Sequence, residues 1–469
     1  GREWEALAEA FLAKSATIQA CLVIVDGRTV LEAYTAPRKA DDLRKLNSVT
    51  KSILSLLVGI ALDEGRLGSL DAAVASFFPE AAASWPAGKK GLTLRHLLGM
   101  TDGLEWSEDG SYAGPTDSFT AMWASPDPAR YVLDRPLAAE PGSRFRYNSG
   151  ASQLLSAILQ KAVGRNARDY AAEKLFAPLG IEAFHWGLDR TGTATGSHGL
   201  YLRARDLAKI GRLCLDRGLW EGRRIVSASW IDLSTAKKTE TPNGLAGRDG
   251  YGLHWWMNPS GGYSGRGYGG QYLFVDPARK LVAVVFGANY GYDFFLPERL
   301  MAEAIAPAAD ATGGSVSAVS ARRLREVEAA VAAPPRLVAP PPRPALAASI
   351  AGKRIRLSDG SVAGFDFADP REATMSLATG GPEGSFPLGL DGRYRRGFLG
   401  QAFGPIPPNP VYARGGWEGQ DLFRAEILLA NDNAAYVFRF RFLPGGKVEE
   451  SCFVPELGRE IERLEGRLE

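Results

Sequence analysis

Metal chemistry has little to work with in this chain of 469 residues, which carries three cysteines and four histidines. Cys21, Cys214 and Cys452 have no close spacing, and His96, His185, His198 and His254 are scattered, so no zinc-type cluster is expected. The odd cysteine count leaves at least one outside any disulfide within the chain. Charge of one sign is also missing: 55 basic against 53 acidic side chains give a net charge of +2, and no long run of like charge points to nucleic acid. The longest apolar stretch, Ile53 to Leu62, is far too short to span a bilayer as a helix. The chain starts at Gly1 without a methionine or a signal-like segment. An export signal already removed would make the protein periplasmic; otherwise a cytoplasmic location is expected.

What is present is ordinary globular composition, 45% hydrophobic and 23% charged, on a chain too long for one hydrophobic core. Thr17 to Tyr34 reads as two strands around the hairpin dipeptide Asp26-Gly27. A largely apolar helix is expected from Ser48 to Glu64, buried because it is apolar nearly all round, with Gly65 closing it. Helical patterns separated by Gly/Pro loops fill residues 65 to 245. Strand patterns return at Gly252 to Met257, Gly270 to Val275 and Leu281 to Ala288, and Leu296 to Ile305 reads as a closing helix. Strands at both ends with helices between them predict an α+β fold, in which an antiparallel sheet is built from both ends around an inserted helical lobe. Ser317 to Ala333 reads as a helix and Pro334 to Pro344 as an extended linker. Alternating runs such as Lys353 to Leu357, Leu422 to Leu429 and Ala435 to Phe442 predict a small all-β domain after it.

Three elements could carry chemistry. In Asn47-Ser48-Val49-Thr50-Lys51-Ser52, Ser48 and Lys51 lie three apart at the head of the buried helix and share one face. A serine hydroxyl needs a base to take its proton, and desolvation together with the helix N-terminus lowers a lysine pKa toward that role. The bland alternative makes Ser48 a helix cap and Lys51 a solvated first-turn residue. In Arg146-Tyr147-Asn148-Ser149-Gly150, ahead of a second apolar helix, Tyr147 could relay a proton and Ser149 could hydrogen-bond substrate, or a loop tyrosine could simply be packed behind a serine cap. In Gly265-Arg266-Gly267-Tyr268-Gly269-Gly270-Gln271, a glycine run opening a strand admits close backbone approach, and the Gln271 N–H is suited to serve as a second oxyanion donor; a plain hairpin bend is the alternative. His96 and the tryptophans Trp123, Trp255 and Trp256 read as core, His198 as a residue that could line the cleft, Trp106 as a possible pocket wall, and Asp206 as a helix cap.

In this order the three elements resemble the beta-lactamase and penicillin-binding-protein superfamily of serine hydrolases. Leu92 to Leu104 is similar to a signature of its esterase-like branch, as is Ala204 to Gly211, followed by Gly218-Leu219-Trp220 and Trp230. Gly103-Leu104-Glu105-Trp106, Asp117 and the pair Tyr147 and Ser149 look most like the 6-aminohexanoate-dimer (nylon oligomer) hydrolases. The resemblance covers residues 15 to 305 and implies a beta-lactamase/transpeptidase-like fold. It assigns Ser48, Lys51 and Tyr147 to catalysis, and Gln271, Ser149, Tyr268, Gly269, Gly270 and Trp106 to the oxyanion and substrate site, with no metal and no cofactor. The chain departs from the pattern of class C beta-lactamases, Tyr-x-Asn, because Asn148 comes early and Ser149 holds that slot. Tyr268-Gly269-Gly270 stands where relatives carry Lys-Thr-Gly or His-x-Gly, so the positive charge that suits carboxylated substrates is absent unless Arg266 supplies it.

The expectation is therefore a hydrolase of small esters or linear amides, acting through an acyl-enzyme on Ser48. The alternatives are a beta-lactamase or D-alanyl peptidase, and a catalytically inactive binding homologue. The expected organisation is a hydrolase domain over residues 1–306, an Ala/Pro-rich linker with a short helix over 307–344, and a β-barrel or β-sandwich, lipocalin-like, over 345–469. The expected partner is a small molecule, and the oligomeric state is left open.

Overall fold

The computed structural model describes residues 3–108, 116–242, 250–289, 295–340, 342–378, 384–399, 409–430 and 434–469. Six strands, β1 (Ile18–Val25), β2 (Arg28–Tyr34), β3 (Trp256–Met257), β4 (Tyr263–Gly267), β5 (Gln271–Asp276) and β6 (Leu281–Gly287), form a sheet in the order β2-β1-β6-β5-β4-β3. Every neighbouring pair is antiparallel. The two ends of this segment meet in the middle of the sheet, where Cys21 faces Val285 and Val25 faces Leu281 across the β1–β6 ladder.

Strand periodicity explains why both faces are covered. Along β6, Val282, Val284 and Phe286 point into one hydrophobic cluster, while Leu281, Ala283 and Val285 point into another. The first cluster is closed by helices α2 (Val49–Asp63), α3 (Ser149–Val163) and α4 (Ala204–Leu215), all from the inserted segment. The second is closed by α1 (Glu3–Lys14), by the helical run made of Leu296–Leu300, Met301–Ile305 and Ala306–Thr312, and by α5 (Ala318–Ala332).

Helix α2 is the centre of the first cluster. Thirteen of its residues are buried, from Val49 to Ala61 without a break, as expected of a largely apolar helix. Gly65 follows its end with φ +69°, a left-handed conformation that glycine adopts without strain. Gly59 marks a close approach: a Cβ there would lie 2.2 Å from the Trp230 indole. Gly59→Ala would gain helix propensity of about 1 kcal/mol but force the indole or the helix to shift, for a net destabilisation of roughly 1–3 kcal/mol. A thermal midpoint at or above that of the unmodified protein would contradict this packing.

Two elements differ from the sequence expectation. Gly252 to Met257 is not one strand; only Trp256–Met257 pairs in the sheet. Residues 252–255 instead form a tight loop stitched to α2. The Ser55 and Ser52 hydroxyls donate to the Leu253 and His254 carbonyls at 2.8 and 2.7 Å, Gly252 N donates to Trp255 O, and His254 sits at φ +65°. Asp206 is not a cap either. It lies inside the first turn of α4, buried, and pairs with Lys209 at 3.0 Å, while Arg203 occupies the cap position.

Beyond residue 306, α5 is not loose: Leu324, Val327 and Val331 belong to the second core cluster. The extended residues 334–344 follow it, with Pro341 outside the described residues. Ten strands from Arg354–Leu357 to Arg459–Leu468 then form one sheet, and a bridge between Gly389 and Arg414 closes it into a barrel. Inward side chains such as Phe365, Phe423 and Phe440 fill it, with ring centroids 4.9 to 5.1 Å apart around Phe365. The barrel touches the first unit just before the Ser48 segment: Arg44 donates to Ala430 O at 2.9 Å, and the Tyr412 hydroxyl donates to Asp42 at 3.2 Å. None of the described helices is long and apolar enough to cross a membrane.

Candidate active site

Asn47 opens the site. Its φ of +47° turns the chain so that Ser48 lies at the mouth of α2, and its side-chain amide donates to Tyr268 O at 2.6 Å. Ser48 sits at the cap position without making a side-chain capping bond, and it is only partly buried. Its hydroxyl is engaged instead by Lys51, whose Nζ lies 2.9 Å away. Lys51 is not a solvated first-turn residue: it is 2% exposed, and its Nζ also contacts Ser149 Oγ and Ser197 O, each at 3.1 Å. Burial pushes the Lys51 pKa down to about 8, with the nearby Glu108 carboxylate acting in the opposite direction.

Tyr147 closes the third side. Its hydroxyl is hydrogen-bonded to Ser48, and Lys51 Nζ lies 4.7 Å from its ring centroid. Burial, Tyr251 and Glu108 all raise its pKa well above the usual phenol value, so Tyr147 stays protonated at neutral pH. The two groups beside Ser48 are thereby driven apart: the lysine toward the neutral amine that can accept a proton, the tyrosine toward the phenol that can donate one. Trp256, read as core from sequence, stacks on the Tyr147 ring at 5.8 Å.

The early asparagine has its own explanation. Asn148 caps α3 by accepting from Ala151 N at 3.0 Å, and its amide donates to the buried Asp102 carboxylate at 3.0 Å. Ser149, the first residue of α3, is thereby left to face Lys51.

Glu108 escaped the sequence reading. It follows the Gly103-Leu104-Glu105-Trp106 stretch by two residues and accepts from Ser149 Oγ at 2.7 Å, Ser149 N at 3.0 Å and the Trp106 indole at 2.9 Å. Trp106 is buried, and with Ser107, Glu108, Phe145, Arg146, Tyr147 and Pro242 it lines a cavity of about 370 Å³.

The glycine hairpin packs on the start of α2. A Cβ at Gly265 would approach Ser52 Oγ to 2.9 Å, and one at Gly267 would approach Leu46 O to 2.3 Å. Tyr268, Gly269 and Gly270 form the turn between β4 and β5, the two glycines at φ +79° and +86°. Gln271 sits in the ladder opposite Gly267, fully buried, and its amide donates to Gly269 O and Gly287 O at 2.9 and 2.7 Å. No hydrogen bond among the described residues joins Gln271 to Ser48. Arg266 is committed elsewhere: it pairs with Glu298 at 2.6 Å and donates to Met257 O and Asn258, stacked over Trp256. From the barrel, Arg459 stands close enough to Tyr268 to oppose the upward pKa shift that burial gives its phenol.

His96 caps its own short helix, accepting from Thr93 N at 3.2 Å. His198 packs edge-on against Trp123 and Phe119, and its pKa is pushed down to about 3 by burial and by Lys45 and Lys51. All three cysteines are buried and unbridged, and no group of three or more potential metal ligands occurs among the described residues.

The beta-lactamase family profile matches residues 5–306, and the chain belongs to this family. It is similar to the 6-aminohexanoate-dimer hydrolase of Paenarthrobacter ureafaciens, with 31% identity over 284 residues, 56% of this chain and 71% of that one. It is more distantly similar to the lovastatin esterase of Penicillium rubens, with 26% identity over 33% of this chain and 42% of that one. A penicillin-binding protein homologue from Pyrococcus abyssi, described as octameric, shares the fold over 98% of this chain and 99% of its own, at 19% identity and a TM-score of 0.51. The protein is thus a hydrolase of the beta-lactamase superfamily, with amide- and ester-cleaving relatives.

Proposed function

We propose that the protein hydrolyses small esters and linear amides through an acyl-enzyme on Ser48. The observation that carries this reading is the triple contact at the mouth of α2, where a depressed-pKa lysine and a raised-pKa tyrosine both reach one partly exposed serine hydroxyl. Lys51 accepts the Ser48 proton as Oγ attacks the carbonyl carbon. The Ser48 N–H, at the positive end of α2, is one donor to the oxyanion. The second is drawn from the Tyr268–Gln271 end of the glycine hairpin, which Asn47 holds to the start of α2. Tyr147 delivers a proton to the leaving alcohol or amine and regains one from the Lys51 ammonium. Water then attacks the acyl carbonyl, its proton passing through the same two groups to Ser48 Oγ as the acid leaves. The residues named do this without a metal or cofactor. The similarity to a 6-aminohexanoate-dimer hydrolase and to a lovastatin esterase supports this breadth of leaving group.

Substrate choice follows from charge. Tyr268 offers none, and Arg266 is held by Glu298, so a carboxylated substrate lacks a charge-assisted partner in the hairpin worth roughly 1.5–3 kcal/mol. At about 1.4 kcal/mol per factor of ten, that is a penalty on the order of 10- to 100-fold. A p-nitrophenyl acyl ester should therefore show a higher kcat/KM than nitrocefin, and Tyr268→Lys should narrow the gap. Faster turnover of nitrocefin by the unmodified protein would favour a beta-lactamase or D-alanyl peptidase instead. Failure of both substrates to react would favour a binding protein.

A further inference from the structure

Among the described residues, Glu108 is the carboxylate bonded to Ser149 beside this site, and the reaction scheme does not use it. No hydrogen bond joins it to Ser48 among the described residues, yet three donors converge on it: the Ser149 hydroxyl, the Ser149 backbone N–H and the Trp106 indole. A carboxylate can only accept, so the single proton of the Ser149 hydroxyl is spent on Glu108. Ser149 Oγ is then left as an acceptor toward Lys51, at 3.1 Å.

The consequence appears when the substituents of Lys51 are counted. A neutral amine has two N–H groups and one lone pair. Of its three polar neighbours, Ser197 O is a carbonyl and can only accept, and Ser149 Oγ is made an acceptor by Glu108. Both N–H groups are therefore taken, and the remaining position, the lone pair, faces Ser48 Oγ at 2.9 Å. Without Glu108 the Ser149 hydroxyl could turn its proton onto Nζ and compete with Ser48 for that lone pair.

We propose that Glu108 is a positioning residue: through Ser149 it fixes the direction of the Lys51 amine so that its lone pair points at the Ser48 hydroxyl. This rests on the assignment of Ser48 and Lys51 as nucleophile and base. Among the described residues, the titratable groups coupled to Lys51 are Glu108, Tyr147, His198 and His254. Both imidazoles are pushed down to about 3 and are neutral at working pH, and Tyr147 stays a phenol, so Glu108 is the carboxylate whose loss the Lys51 amine registers.

The test measures ester turnover and the rate of Ser48 labelling by a fluorophosphonate, both against pH, in the full-length protein. In Glu108→Gln, the high-pH plateau of kcat should fall about 10- to 100-fold with little change in KM, as expected for a misdirected group. The inflection assigned to Lys51 should move to lower pH, because the negative charge that favours its ammonium form is gone. A residue acting only on stability would not move that inflection. Ser149→Ala should lower the plateau too, and adding Glu108→Gln to it should cost little more, since both act through one hydroxyl. An unchanged plateau and inflection in a folded Glu108→Gln protein, or additive losses in the double variant, would overturn the proposal. If the unmodified protein is not labelled at Ser48, the assignment beneath it falls as well; labelling of the unmodified protein with an indifferent Glu108→Gln overturns the positioning role alone.

Discussion

Ser48→Ala should lower kcat for a short acyl ester by about 10⁴-fold or more while leaving the protein folded, because removal of a catalytic serine is among the largest single losses in serine hydrolases. The structure separates the two effects cleanly. The Ser48 side chain makes no capping bond to α2, so alanine removes no helix cap. Its hydroxyl meets Lys51 and Tyr147, both held by other contacts: Lys51 by Ser149 and Ser197, Tyr147 by stacking on Trp256. The thermal midpoint should stay within the few degrees of an ordinary partly exposed substitution. A folded Ser48→Ala protein that keeps more than a tenth of its activity would rule out Ser48 as nucleophile. A large drop in the midpoint would mean that the lost activity reports lost structure.

The second large effect concerns Lys51. If its amine is the base, kcat/KM in the free enzyme should rise with pH through an inflection near the Lys51 pKa of about 8 and then level off. The sign is fixed by the chemistry: the ammonium form has no lone pair, so activity is lost as pH falls below that value. Tyr147 does not produce this limb, because its pKa lies well above 10 and its protonated form is the useful one. Lys51→Met keeps much of the stem and removes the amine; general-base loss should cost roughly 10²- to 10⁴-fold. Ser149 Oγ and Ser197 O lose a donor in that variant, so its stability must be measured alongside. An activity profile flat from pH 6 to 9 in the unmodified protein would point to a base other than Lys51.

Much of this site could be read before any coordinates. The i, i+3 spacing of Ser48 and Lys51 on a largely apolar helix implied a shared face and allowed either a desolvated or a solvated amine; the two side chains meet at 2.9 Å and Lys51 is buried. The sheet was legible because β1, β5 and β6 are continuous apolar runs bounded by turn residues, as strands buried on both faces must be. The failures are equally physical. Gly252 to Met257 carries aromatic residues suited to a strand, but Ser52 and Ser55 draw its carbonyls onto α2, a tertiary contact that no local pattern encodes. Helix α5 looked like part of a linker because its apolar positions are few. Leu324, Val327 and Val331, at helical spacing, are what bury it against the sheet. Glu108 lay in a polar loop where a carboxylate carries no periodic signal. Its role emerges only when α3 brings Ser149 to it from 41 residues away.

The most direct test of the account is to trap the acyl-enzyme. The full-length protein would be incubated with a slowly released acyl ester or a fluorophosphonate, quenched, digested and mapped by mass spectrometry. A single modification on Ser48, absent from Ser48→Ala and slowed in Lys51→Met, is the predicted result. A modification on any other residue, or turnover of ester with no covalent intermediate on Ser48, would contradict it.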